Sequence, residues 1–149
     1  MIDKIFVDTN VLVYAYDARE REKHVRAIQI IDQFNRAGVG VISTQVLTEF
    51  FVTITRKLPD PLTPYEAYTH LGNYVQSWTI LDLTALIVLE AARGVVDYQF
   101  SVWDAQIWAA AKLNQIEIVF SEDFNGGAMI EGVRFINPFA PDFRLEEWL

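Results

Sequence analysis

Cysteine is absent from all 149 residues, which excludes disulfides, a thiolate nucleophile and a zinc site built on thiolates. Histidine is nearly absent too. His24 and His70 are far apart and in no ligand motif, so an imidazole-held zinc is not expected. Apolar runs such as residues 85–89 and 107–111 fall far short of the ~18–20 residues that span a bilayer. The N-terminus carries Asp3 and Asp8 among its apolar residues, without a basic region and a small-residue cleavage site. A signal peptide is therefore not expected, and the protein is expected to be cytoplasmic, with no membrane partner. Basic residues are the minority, 12 Lys and Arg against 20 Asp and Glu, for a net charge of -8. That balance argues against broad electrostatic adhesion to nucleic acid or anionic membrane. An acidic cleft holding divalent cations could still act on a polyanion, because bound metals reverse the local sign.

What the chain does have is apolar material. Hydrophobic residues make up 52%, with four Trp, ten Phe and six Tyr, enough for a substantial core, so disorder is not expected. The length suits one domain spanning residues 1–149. No internal repeat or low-complexity segment interrupts it.

The chain reads as strands alternating with helices. Ile5, Phe6 and Val7 form a short β-prone run that ends in Asp8, with Thr9 and Asn10 placed to cap a helix over 11–16. The mixed-charge run 17–24 leads into a helix with apolar positions 28, 31 and 34, closed by Gly38 in the αL position. That run is a solvated helix start or, through Arg19, Arg21 or Lys23, a contact to a phosphate backbone. A second strand over 39–42 precedes a helix burying Val46, Leu47, Phe50, Phe51 and Ile54. Residues 58–64 hold three prolines and read as a loop. The aromatic segment 65–78 reads as a helix for the core or a subunit interface. A third strand over 79–83 and a helix over 85–96 capped by Thr84 follow. Ser101 opens a helix over 105–114, 116–120 is a fourth strand, Asn125-Gly126-Gly127 marks a turn, and 133–136 is a last strand.

This alternation predicts an α/β fold, a parallel sheet with helices on both faces. In such a sheet the carboxyl ends of the strands share one edge, where ligands bind. Asp8 ends the first strand and Asp123 follows the fourth. Glu49 and Asp104 fall in the first turns of helices that could border the same edge. Each acid also has a structural explanation: Asp8 as strand terminator, Glu49 as a solvated acid favoured by the helix dipole, Asp104 in a capping-box-like pattern with Ser101. Brought together, the four would repel one another unless cations were bound. Hard oxygen ligands select Mg²⁺ or Mn²⁺, and metals so held suit phosphodiester hydrolysis. Spacing leaves open whether they converge.

Four segments together, Val7-Asp8-Thr9-Asn10-Val11-Leu12, Ser43-Thr44-Gln45-Val46-Leu47-Thr48-Glu49-Phe50, Ser101-Val102-Trp103-Asp104-Ala105-Gln106 and Val119-Phe120-Ser121-Glu122-Asp123-Phe124, resemble the motifs of a PIN domain. The resemblance is strongest to the short stand-alone type that serves as the VapC-like toxin of toxin-antitoxin pairs. It runs to Asn137-Pro138-Phe139. The resemblance implies a three-layer α/β/α sandwich and a metal-dependent endoribonuclease in which Asp8, Glu49, Asp104 and Asp123 bind Mg²⁺ or Mn²⁺. Asn10 and Ser121 resemble the polar residues that flank such a site and orient acid or water. The fourth acid is the variable one: Glu122 adjoins Asp123, and Gly126 stands where some members carry another acid. The resemblance further implies an RNA substrate, with residues 19–26 as a backbone contact, a homodimer, and a small antitoxin partner.

Other readings weigh the same residues differently. A receiver-like signalling domain would use Asp8 with Asp82 as phosphoryl acceptor, yet would want a lysine after the last strand, and none follows Lys112. A catalytically silent binding module would be expected to have lost a carboxylate. A housekeeping RNA-processing nuclease would share the site and differ only in target.

Overall fold

The sheet is built outward from its first strand. In the computed structural model, which describes residues 3–124 and 127–149, β1 (Ile5–Val7) is buried on both faces and lies at the centre of six strands. It pairs in parallel with β2 (Gly40–Ser43) on one side and β4 (Ile118–Phe120) on the other. β3 (Thr79–Leu81) extends the sheet beyond β2, and β6 (Val133–Ile136) extends it beyond β4, both parallel. The outermost strand, β5 (Met129–Ile130), runs antiparallel to β6. The order is β3-β2-β1-β4-β6-β5. The central parallel sheet that the sequence predicts is present, and the two-residue edge strand, which it does not show, makes the whole sheet mixed. A two-residue strand is too short to register as a period-2 pattern, and its hairpin turn uses Glu131 and Gly132, both at positive φ.

Among the described residues six helices flank this sheet: α1 (Thr9–Tyr14), α2 (Arg21–Ala37), α3 (Thr44–Arg56), α4 (Pro64–Ser77), α5 (Ala85–Tyr98) and α6 (Val102–Leu113). The first four pack in a chain, α2 on α1, α1 on α3 and α3 on α4, while α5 packs on α6. A short 3₁₀ turn, Leu145–Glu147, closes the chain. Side-chain oxygens start most helices: Ser43, Thr84 and Ser101 each accept an N–H of the first turn, and Thr63 forms a full capping box with Glu66.

Two local expectations need correcting. Thr9 and Asn10 do not cap α1. The helix begins at Thr9 and Asp8 itself occupies the N-cap, accepting the Thr9 N–H at 2.7 Å. On α2 the buried stripe is Ala27, Ile30 and Phe34, leaving Ile28 and Val25 exposed. Both stripes have helical spacing, so periodicity could not choose between them; the sheet takes the face that carries Ala27, whose small side chain lets the backbone approach. Gly38 does close α2 in the left-handed region, at φ 69°. The turn residues Asn125 and Gly126 lie outside the described residues.

Candidate functional site

The strand order reverses direction beside β1: β2 and β3 lie to one side, β4 to the other. Ligands of open α/β sheets bind at such a switch point, because the loops leaving the two neighbouring strands part there. Asp8 leaves β1 at this point and Ser121, Glu122 and Asp123 leave β4. The two exits are stitched together, with the Asp8 N–H donating to the Phe120 carbonyl at 2.9 Å.

Ser121 ties the acids to one another. Its hydroxyl donates to Asp8 Oδ2 at 2.7 Å and accepts the Asp123 N–H at 3.1 Å. Asp104 comes from the first turn of α6, where its N–H is held by Ser101 Oγ at 3.1 Å. Asp8, Asp104 and Asp123 each offer a carboxylate oxygen, and these three atoms lie within 4.8 Å of one another. Asp8 is buried, Asp104 half-buried and Asp123 exposed, so the cluster grades from core to solvent.

Burial is the main cost of this arrangement. It pushes the Asp8 carboxyl up to about 7, with the charges of Asp123 and Asp104 adding to the rise and the Ser121 and Thr9 hydrogen bonds opposing it. Asp104 is raised as well, by burial first and by Asp123 second.

Glu49 stands apart from the three. It lines the same cleft, and its Oε1 accepts from the Thr9 hydroxyl at 3.0 Å and from Gln45 Nε2 at 3.3 Å. The adjacent acids of β4 separate cleanly. Glu122 turns away from the cluster to accept from Tyr14 OH at 2.6 Å and to pair with Lys23 at 2.6 Å. Asp82, at the edge strand β3, is exposed and separated from Asp8 by the whole of β2, which removes the geometry a receiver-like phosphoryl site requires.

Asn10 lines the same cleft as the acids. Its Oδ1 and Nδ2 are both buried in the cleft wall without a protein partner. An amide in that state calls for a ligand or its hydration shell, since orphaned buried polar atoms are costly. Together with three hard carboxylates and no cysteine or histidine among the residues lining the cleft, this fits a hydrated Mg²⁺ or Mn²⁺.

The cleft has a volume of about 990 Å³, at the upper end of ligand pockets of ~300–1,000 Å³. Its cations are Arg19, already in a bidentate pair with Asp17, and exposed Lys57 at the end of α3. Of the other basic residues expected to meet a backbone, Lys23 is committed to Glu122 and Arg26 donates to the Pro138 carbonyl at 2.8 Å.

A model of the PIN domain matches residues 5–125. The chain belongs to the PIN domain family. Among solved structures, this PIN domain is similar in fold to VapC20 of Mycobacterium tuberculosis, described as a toxin cleaving the sarcin-ricin loop. The two share 21% identity over 88% of this chain and 99% of the other, with a TM-score of 0.66. A toxin-antitoxin complex from Klebsiella pneumoniae matches at 20% identity over 91% of this chain and 98% of that one, TM-score 0.66. DNA-bound VapBC from Salmonella typhimurium matches at 17% identity over 91% and 97%, TM-score 0.63. Comparison with curated proteins finds no match.

Sequence reasoning missed the buried amides of this PIN domain. Gln45 accepts from Gln106 Nε2 at 3.1 Å, and its own Nε2 reaches Glu49 and, at 3.2 Å, the Trp103 carbonyl. The pair ties α3 to α6 beneath the acids. A signal was present: Gln106 is the lone polar residue in the run from Ala105 to Ala111, and a polar residue inside an apolar helix face is there for a partner.

Proposed function

We propose that the protein is a metal-dependent endoribonuclease, with residues 1–149 acting as one domain. One observation supports this above the rest: in a chain of the PIN family, three carboxylates from separate parts of the sequence bring oxygens within 4.8 Å at the switch point of the sheet. Asp8, Asp104 and Asp123 would hold Mg²⁺ or Mn²⁺, with Glu49 acting from the cleft wall through the hydration shell. A divalent cation there supplies two things, acidification of an attacking water and neutralisation of charge developing on the phosphate.

The chain's own residues do the rest. Ser121 keeps Asp8 and Asp123 in register, so their oxygens face one point. Ser101 does the same for Asp104 by fixing the turn that carries it. Asn10 donates to, or accepts from, whatever fills the space between the acids and the wall of α1. Thr9 and Gln45 hold Glu49 by the same oxygen, leaving its orientation defined before substrate arrives. Lys57 contacts the phosphate backbone at the rim in place of the 19–26 segment, most of whose cations are engaged elsewhere.

We assign the protein to the toxin role of a toxin-antitoxin pair, with a small antitoxin as partner, a homodimer as the working unit and the cytoplasm as its place. Similarity in fold to VapC20 and to toxin-antitoxin complexes supports the role. Among the described residues no helix is long and apolar enough to cross a membrane. The test is incubation of the purified protein with a mixed RNA pool, with Mn²⁺ and with EDTA, reading fragment ends by sequencing. Metal-dependent cleavage at a restricted set of positions supports a toxin nuclease. An intact pool in both arms, with folded protein, contradicts it.

A further inference from the structure

Two aromatic residues line the acidic cleft, and only one has an open ring. Tyr14 has its hydroxyl committed to Glu122 and its ring packed edge-on against Phe139, centroids 5.0 Å apart. Trp103 is 61% exposed, whereas Trp78 and Trp108 are 6% and 0% exposed in the core. It lies in the first turn of α6, immediately before Asp104.

The backbone beneath the ring is fixed. Gln45, itself buried, donates to the Trp103 carbonyl, and the Asp104 N–H is held by Ser101. A large aromatic surface is thus left in water on a hydrogen-bonded turn, one residue from Asp104. Burying it against α5 or the sheet would have stabilised the fold, as burial does for the other core tryptophans. The wall on which it stands carries net negative charge, with Asp8, Glu49, Asp104 and Asp123 against Lys57. Such a wall offers little for phosphates away from a bound cation. A neutral π-face attracts a nucleic acid by something other than charge.

We propose that Trp103 is a nucleobase platform: it stacks on an unpaired base of the RNA strand beside the phosphodiester held at the acids. This rests on the ribonuclease reading above and deepens it. The platform requires an unpaired base, because a base inside a duplex offers no face to the ring.

The experiment uses full-length wild type, Trp103→Ala, Trp103→Leu and Trp103→Phe with a single-stranded RNA oligonucleotide and its duplex. Cleavage kinetics in Mn²⁺ separate KM from kcat, and stopped-flow tryptophan emission follows binding before turnover. Because the side chain is largely exposed, all variants are expected to keep the wild-type melting temperature. Stacking predicts that Trp103→Ala and Trp103→Leu raise KM by roughly tenfold or more, while kcat changes little and Trp103→Phe keeps most of the affinity. It also predicts that single strands quench emission in wild type and not in Trp103→Phe, and that duplex does not quench. An unchanged KM in Trp103→Ala, or quenching that persists without Trp103, overturns the platform. So does a Trp103→Ala variant whose only change is in solution mass, since the ring would then be a protein contact. Emission needs no turnover, so a wild type that binds and quenches but does not cleave would count against the nuclease and leave the platform standing.

Discussion

Asp8 meets two opposed demands. It caps α1 and accepts from Ser121 and Thr9, both favouring a carboxylate, yet it is buried next to two more acids, which favours the protonated form. Burial prevails, and in the metal-free protein its pKa lies at about 7, against an ordinary value of 3.8. A group whose pKa is raised on folding binds more protons in the native state between those two values. The contribution of Asp8 to stability in EDTA is therefore expected to be fully present below about pH 4 and to be lost as pH rises through 7, by on the order of 3 kcal/mol. Asp8→Asn should flatten that profile and raise the metal-free melting temperature at pH 8; a variant that melts well below wild type at that pH would show that capping outweighs burial. The adjacent acids of β4 give a second contrast. Asp123→Asn should remove the metal-induced rise in melting temperature, and Glu122→Gln should keep it while losing only a half-exposed pair with Lys23, worth roughly 1 kcal/mol or less. Equal responses from the two variants would contradict the assignment. Sequence could not choose between these neighbours, because the choice depends on Tyr14 and Lys23, more than ninety positions away in the chain.

Among the elements, the sheet does most to make the site. β1 can be flanked by β2 and β4 because Phe6 and Val7 are apolar on both faces, and only that order places the ends of β1 and β4 side by side. Two glycines allow close approaches, Gly40 of β2 against Trp78 after α4 and Gly94 of α5 against Trp108 of α6. A Cβ at Gly40 would lie 2.6 Å from the Trp78 ring, and one at Gly94 would lie 2.7 Å from Trp108. Neither ring can retreat, as each is buried among other aromatics. Gly40→Ala is expected to destabilise by about 1–3 kcal/mol in a denaturant titration without altering the acids. A neutral outcome would mean that Trp78 has room to move. The Thr84 and Ser101 caps, Gly38 and the β1 exit were legible in the sequence because they depend on neighbours along the chain, though at α1 the cap fell one residue earlier, on Asp8. The buried face of α2 and the Gln45–Gln106 link were not, because each is settled by contacts between distant segments, and the antiparallel edge strand was not because two residues show no period-2 pattern.

For the molecule as a whole, net charge of -8 and a nucleic-acid substrate are reconciled by locating the attraction in the cleft. A cation bound there only in the folded state should raise the melting temperature, by an amount equivalent to about 2.7 kcal/mol at a hundred times its dissociation constant. The four segments that resemble PIN motifs were visible as sequence, and the fold brings Asp8, Asp104 and Asp123 together while holding Glu49 off on the cleft wall. One titration probes that convergence. Mn²⁺ is added calorimetrically to wild type and to Asp104→Asn at pH 8, where Asp8 is ionised. Shared coordination predicts a binding isotherm for wild type that is weakened by at least roughly tenfold in the variant, although α6 and its cap remain intact. Identical isotherms, or no heat from either protein, would contradict a metal held between Asp8, Asp104 and Asp123.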